Sequence, residues 1–203
     1  CFTGKLGITS QLVLHVTYNP DFSQVESDAG QIEENQRYKL FYPEKRPFFQ
    51  EGSESFAIAA INEHGDFKGA IHTRQITNPI TGAKLSGKIS SKTRLGLLYA
   101  LDEQDRFQDS TKRYTNFTAI RLQHSLNDDS YIGLVATSRI DPYNMHNHVI
   151  GTDGRFRLKN AAAIEYHFLG SSTASDPDDS STGIAATAAY VQNNDDRDPR
   201  WEI

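Results

Sequence analysis

Carboxylates and aromatic rings crowd residues 19–56, which read NPDFSQVESDAGQIEENQRYKLFYPEKRPFFQEGSESF. Asp21, Glu26, Asp28, Glu33, Glu34, Glu44, Glu51 and Glu54 supply the oxygens. Two carboxyl groups held roughly 5 to 9 Å apart, one of them with a raised pKa, can hydrolyse a glycosidic bond. That chemistry needs burial, and a stretch this polar gives no sign of it. Ionised carboxylates also suit a hard cation such as Ca²⁺, although Asp21, Glu26 and Asp28 lack the spacing of an EF-hand loop. His146 and His148 form an i, i+2 pair in YNMHNHV with no third ligand nearby in sequence, so no metal is assigned. No G-x-S-x-G elbow, phosphate loop or dinucleotide fingerprint occurs. These residues point away from an enzyme, name no catalytic residue, and leave Ca²⁺ as the only ion the donors would suit.

The charges and rings of YPEKRPFF have a simpler use. Glu44, Lys45 and Arg46 sit beside Phe48 and Phe49 between two prolines, which favours an extended or turning segment. Buried aromatics with paired charges would anchor such a loop against a wall. Residues 19–55 are accordingly expected to form a structured insert, a plug or constriction, with Asp21, Glu26, Asp28, Glu44, Lys45, Arg46, Phe48 and Phe49 as its binding or anchoring groups.

The elements around the insert alternate with period two. Even positions are apolar over most of residues 8–18, read as one strand, and alternation returns at residues 67–75, 95–101, 118–123, 150–158, 162–168 and 184–190. An all-β fold is predicted. The polar faces hold charges in mid-strand, and Lys68, His72, Arg74, Arg94, Arg121, Gln123, Arg155, Arg157, Glu165 and His167 fall on them. The connections alternate short and long: SSK, DEQDRFQDSTKRY, NDD, IDPYNMHNHV, KN, GSSTASDPDDSST. In a meander, odd and even connections lie at opposite ends, so tight turns gather on one rim and long loops on the other. That is the layout of an outer-membrane barrel, and it predicts an antiparallel up-and-down meander forming part or all of one, residues 1–203 being a single domain. The charged residues would then line the lumen, the apolar faces would meet lipid, and Tyr18, Tyr99, Tyr114, Tyr131 and Tyr166 would supply an aromatic girdle. A soluble carbohydrate-binding or carbohydrate-active β protein shows the same alternation and is the alternative.

Bulk properties agree with this. The 203 residues include nine Tyr and eleven Phe, carry a net charge of −5 and contain a single cysteine. The acidic balance gives no basic face for nucleic acid, and one cysteine cannot form a disulfide within the chain. No run approaches the roughly 20 apolar residues of a membrane helix, whereas barrel strands need only about 9 to 11. Because Cys1 opens the chain without an initiator Met, a piece of a longer protein is expected in preference to a lipidated terminus.

The insert also carries a likeness. Its Asn-Pro-Asp-Phe start and its Tyr-Pro-Glu-Lys-Arg-Pro-Phe-Phe-Gln-Glu-Gly core closely resemble the signature of bacterial domain of unknown function 5916, with Tyr42 where Phe is more usual. GAKLSGKIS, SYIGLVATSR and GTDGRFRL look like later strands of that family. The resemblance implies a Gram-negative outer-membrane barrel, usually preceded by a domain similar to family 9 carbohydrate-binding modules, with glycans as partners through that domain. It implies a role in transport or surface binding and no catalytic residue.

Overall fold

The computed structural model describes residues 2–20, 44–59, 71–104, 112–142, 145–158, 162–176 and 179–192. They form one nine-stranded antiparallel sheet whose spatial order is the chain order: β1 (Phe2–Thr9), β2 (Leu12–Tyr18), β3 (Pro79–Lys88), β4 (Thr93–Glu103), β5 (Tyr114–Asn127), β6 (Ser130–Ile140), β7 (His146–Arg157), β8 (Ala162–Asp176) and β9 (Asp179–Gln192). Among the described residues the helical elements are α1 (Pro47–Gln50) and 3-10 turns at Ser53–Phe56 and Thr73–Gln75. Among the described residues β1 and β9 each pair on one side only. The fold is thus the predicted all-β antiparallel meander, present as an open sheet.

Register assigns every side chain to a face. Arg121 opposes Val135, Gly133 opposes Asp153, and Asp153 opposes His167. These positions share one face with Lys84, Leu98 and Ala119. The other face carries Leu14, Leu85, Leu97, Ile120, Ala136, Ile150, Gly170 and Ile184, matched in successive registers. Pleating alone enforces this, since successive Cβ atoms point to opposite sides. The insert covers the first face, called inner below. Glu51 reaches Lys5 on β1, and Ala59 reaches His167 on β8. Seven strand spacings of about 4.8 Å exceed what eight residues cover when half of them are 3-10 at about 2 Å each. Side-chain reach supplies part of the difference and curvature of the sheet the rest.

The sequence reading needs three corrections. Residues 8–18 are not one strand but the end of β1, a turn at Ser10 and Gln11, and β2. The two-residue turn pairs Thr9 with Leu12, residues of opposite parity, and the register shift between Gly7 and Thr9 cancels that change, so Leu6 opposes Leu14 and the alternation runs through unbroken. Residues 71–78 contain no strand: Tyr18 pairs with Thr81, making β3 the direct neighbour of β2 and leaving that stretch outside the sheet. The whole excursion between β2 and β3, residues 19–78, thus replaces the expected 19–55 as the insert, and His72 and Arg74 belong to it and not to the wall. Finally, half of IDPYNMHNHV and most of GSSTASDPDDSST are strand, because β6 runs to Ile140, β7 starts at His146, β8 runs to Asp176 and β9 starts at Asp179. Paired Ser and Thr extend a hairpin without an apolar face, which polarity alone mistakes for loop. Short connections still share one rim (10–11, 89–92, 128–129, 158–161). The opposite rim holds the excursion 19–78 and the ten-residue connection 104–113, but also the shorter 141–145 and 177–178.

Two backbone details fix the ends of the first strands. Asn19, at φ 43°, donates its N–H to Ile80 O at 2.6 Å and ends β2 where the Asn-Pro pair predicts a turn. Gly87 has φ 137°, and a Cβ there would run into the Gln11 carbonyl. Only glycine lets β3 pass this close to the first turn, where Lys88 N–H donates to Gln11 O at 2.9 Å.

Candidate functional site

Among the described residues three hubs centred on buried cations hold the insert, one within the insert itself and two on the inner face. At the first, Arg46 is 3% exposed and directs Nε and Nη2 to Glu44 at 2.9 and 2.8 Å, Nη1 to Ile76 O at 2.5 Å and Nη2 to Thr73 O at 2.8 Å. Its guanidinium also lies 4.3 Å from the Phe49 ring centre. Glu44 further accepts the Thr73 hydroxyl at 2.6 Å. Burial opposes ionisation of Glu44, but hydrogen bonds from Arg46 and Thr73 outweigh it and hold the pKa at about 2. The hub ties the start of α1 to residues 73–76, two parts of the insert far apart in sequence.

Apolar packing seats the second anchor. Phe48 and Phe49 meet edge to face at 5.0 Å and are buried with Ile76, Leu98, Ala100 and Ala119. Burying each ring contributes about 1.5–3 kcal/mol. The inner face makes room with glycine: a Cβ at Gly82 would press on the Phe48 ring, and one at Gly96 on Phe56 and the Ser55 carbonyl. Helix α1 is a single turn whose carbonyls need partners. Lys84, on β3 and 1% exposed, donates Nζ to Phe48 O and Glu51 O. Glu51 in turn accepts Lys5 Nζ at 2.8 Å and lies 3.4 Å from His15 Nδ1.

The third anchor crosses three strands. Arg121 on β5 and Asp153 on β7 are both fully buried and bridged at 2.6 and 2.9 Å. Gly133 of β6 lies between them, and any Cβ there would overlap the Arg121 guanidinium. Arg121 Nε donates to Ala57 O at 3.0 Å, Asp153 Oδ2 accepts Ala59 N–H at 2.8 Å, and His167 Nδ1 lies 3.2 Å from Ala59 O. Because a carbonyl only accepts, this His167 nitrogen carries the proton. The pair, costly to bury alone, draws further hydrogen bonds from main chain of the insert, while Asp153 Oδ1 has only its ion-pair contact with Arg121.

Several sequence-derived candidates meet here. Glu44, Arg46, Phe48 and Phe49 form the anchors, while Lys45 is exposed beside them. Arg94, Arg121, Arg155, Arg157, Glu165 and His167 occupy inner-face strand positions, with Arg155 bridged to Glu165 at 2.6 Å and Arg157 near Asp129 at 3.7 Å. Asp21, Glu26, Asp28 and Lys68 lie outside the described residues. His72 and Arg74 are placed in the insert, as noted above. Tyr131 faces inward, 3.5 Å from Asp153, so it is no part of an outer girdle; Tyr18, Tyr99, Tyr114 and Tyr166 face outward. His146 and His148 stack at 4.7 Å on the outer face of β7. Among the described residues no three His, Cys, Asp or Glu gather as metal ligands. Sequence reasoning overlooked Lys84 and passed over Asp153. Both carried a charge in mid-strand, Lys84 between Ala83 and Leu85 and Asp153 between Thr152 and Gly154.

Fold and site together define an antiparallel β-meander wall whose inner face is built to hold one insert of its own chain. The chain belongs to the family described as domain of unknown function DUF5916, whose model matches residues 3–198. No curated protein and no solved structure matches it.

Three variants test these anchors in the purified protein. Asp153→Asn leaves Arg121 buried without a counter-charge and is expected to cost about 3–5 kcal/mol in denaturant titrations; Gly133→Ala, which adds one methyl and no charge, should cost about 1–3 kcal/mol by displacing Arg121. Because the Glu44 pKa is depressed on folding, its contribution is full above the ordinary 4.5 and is lost as pH falls through about 2. Wild type should therefore exceed Glu44→Gln by about 1.5–3 kcal/mol at pH 6, a margin that closes between pH 4.5 and about 2; a constant margin would show that Glu44 acts through shape alone.

Proposed function

We propose that this chain is a sector of a membrane-spanning β-barrel wall in the outer membrane, non-catalytic and serving transport or surface binding, with its insert closing off part of the lumen. The observation that carries the reading is an inversion of burial. Leu134 is 59% exposed, Ile150 70% and Ile184 77%, whereas Arg121, Asp102 and Asp153 are at 0%. In water this arrangement wastes about 25 cal/mol for each Å² of apolar surface left exposed, and monomeric soluble proteins rarely carry an apolar patch that wide. Against lipid it is the expected partition, apolar side chains outward and charged ones inward.

Strand dimensions support the same reading. The 11 residues of β4, 14 of β5, 11 of β6 and 12 of β7 meet the roughly 9 to 11 that a tilted membrane strand needs. Among the described residues no helix is long and apolar enough to cross a membrane. Closure is constrained by parity. Eight antiparallel pairings separate β1 from β9, so these strands run in the same direction and joining them directly would create a parallel seam. A wall antiparallel throughout takes an odd number of further strands between them, and in a bilayer those edges must be paired.

Arginine on the outer face separates this reading from a soluble β protein. Leu134→Arg, near the middle of β6, is expected to cost about 2–4 kcal/mol at mid-bilayer depth and to deplete the heat-modifiable band of the outer-membrane fraction. If the variant instead folds equally well and disperses better in buffer without detergent, the membrane assignment is wrong and the soluble glycan-binding alternative takes its place.

A further inference from the structure

Between residues 71–76 of the insert and the inner face of β4 to β7 lies an open pocket of about 100 Å³. None of the three anchors fills it. Ile76, Leu98 and Phe117 give it an apolar floor; Thr137 and Arg139 stand beside them, close to the rim of longer connections. Arg139 is held from one edge only. Its Nε meets Asp141 at 2.9 and 3.1 Å, Asp141 is steadied by the Thr115 hydroxyl at 2.7 Å, and the guanidinium stacks 5.7 Å from the Phe117 ring centre. Among the described residues the two terminal nitrogens of Arg139 take no acceptor, and the Thr137 hydroxyl takes no partner.

A rigid fork of N–H donors matches the two oxygens of a carboxylate, and an apolar floor next to it suits a short hydrocarbon body. An enclosed cavity of about 150 Å³ holds the six heavy atoms of benzene, so this pocket of about 100 Å³ takes roughly four, leaving the carboxylate oxygens at its open side. We propose that it binds a small amphipathic monocarboxylate, the carboxylate on the Arg139 fork and Thr137 hydroxyl, the chain on Ile76, Leu98 and Phe117. Asp141 neutralises the opposite edge of Arg139, so affinity rests on hydrogen-bond geometry and floor contact, with a dissociation constant on the order of 1 mM, ordinary for so small a ligand. The site is independent of what the outer face meets, and its failure would leave the membrane reading intact.

Saturation-transfer NMR on the full chain in micelles, corrected with empty micelles, tests this with butyrate, acetate and butanol. Butyrate is expected to bind, with acetate, which lacks the chain, and butanol, which lacks the carboxylate, at least tenfold weaker. Arg139→Gln should weaken butyrate at least tenfold, and so should Thr137→Leu, which fills the pocket without touching a charge and decides the matter alone if the arginine variant does not fold. Absence of butyrate binding, butanol binding as tight as butyrate, or butyrate binding unchanged by Thr137→Leu would each overturn the proposal.

Discussion

The bridge between Arg121 and Asp153 sets the conditions for everything on the inner face. Two full charges removed from water recover their solvation only if nearly every lone pair and proton finds a partner. The sheet cannot provide all of these, because its own N–H and C=O groups are spent on neighbouring strands. Leu122 O and Leu134 O take Arg121 Nη1 at 3.3 Å each, and the remainder comes from Ala57 O and Ala59 N–H of the insert. The wall and its insert thus depend on each other: displaced, residues 57–59 would leave a buried ion pair short of partners.

The same exchange recurs across the inner face. Lys84 takes the end carbonyls of α1, and Asp102, fully buried on β4, takes Asn78 N–H at 2.6 Å. Glycines at 82, 96 and 133 remove side chains where rings or a guanidinium must approach. Buried charge provides direction and glycine provides space, while Phe48, Phe49, Ile58 and Ile76 supply the apolar contact. An insert held in this way is part of the folded wall, and a passage on this side of the sheet would have to run around it. The gap beside Arg139 is one such place.

Much of this was legible residue by residue. The prolines around Glu44, Lys45 and Arg46, with two phenylalanines following, announced an anchored segment. The mid-strand charges Arg121, Arg155, Glu165 and His167 announced a polar inner face. Other features were illegible for definable reasons. The bulge between Gly7 and Thr9 restores the parity that the turn at Ser10 and Gln11 alone would shift, so no periodicity reveals that turn. Ser171, Thr173, Ser181 and Thr182 pair as strands although their composition is that of a loop. Residues 67–75 alternate like a strand, yet the pairing of β2 with β3 leaves their described part, 71–75, outside the sheet.

Period-two alternation determined, from the sequence alone, that the chain forms strands with one apolar and one charged face, because a pleated backbone sends successive side chains to opposite sides. What covers the charged face was decided only by the tertiary structure. Asp153 lies 32 residues from Arg121 and 94 from Ala59, and nothing local relates them. Register across β5, β6 and β7 sets the ion pair over Gly133, and the path of the insert delivers the carbonyl and amide that complete it. Both depend on which strands become neighbours, a choice made by the whole sheet and written in no single stretch of it.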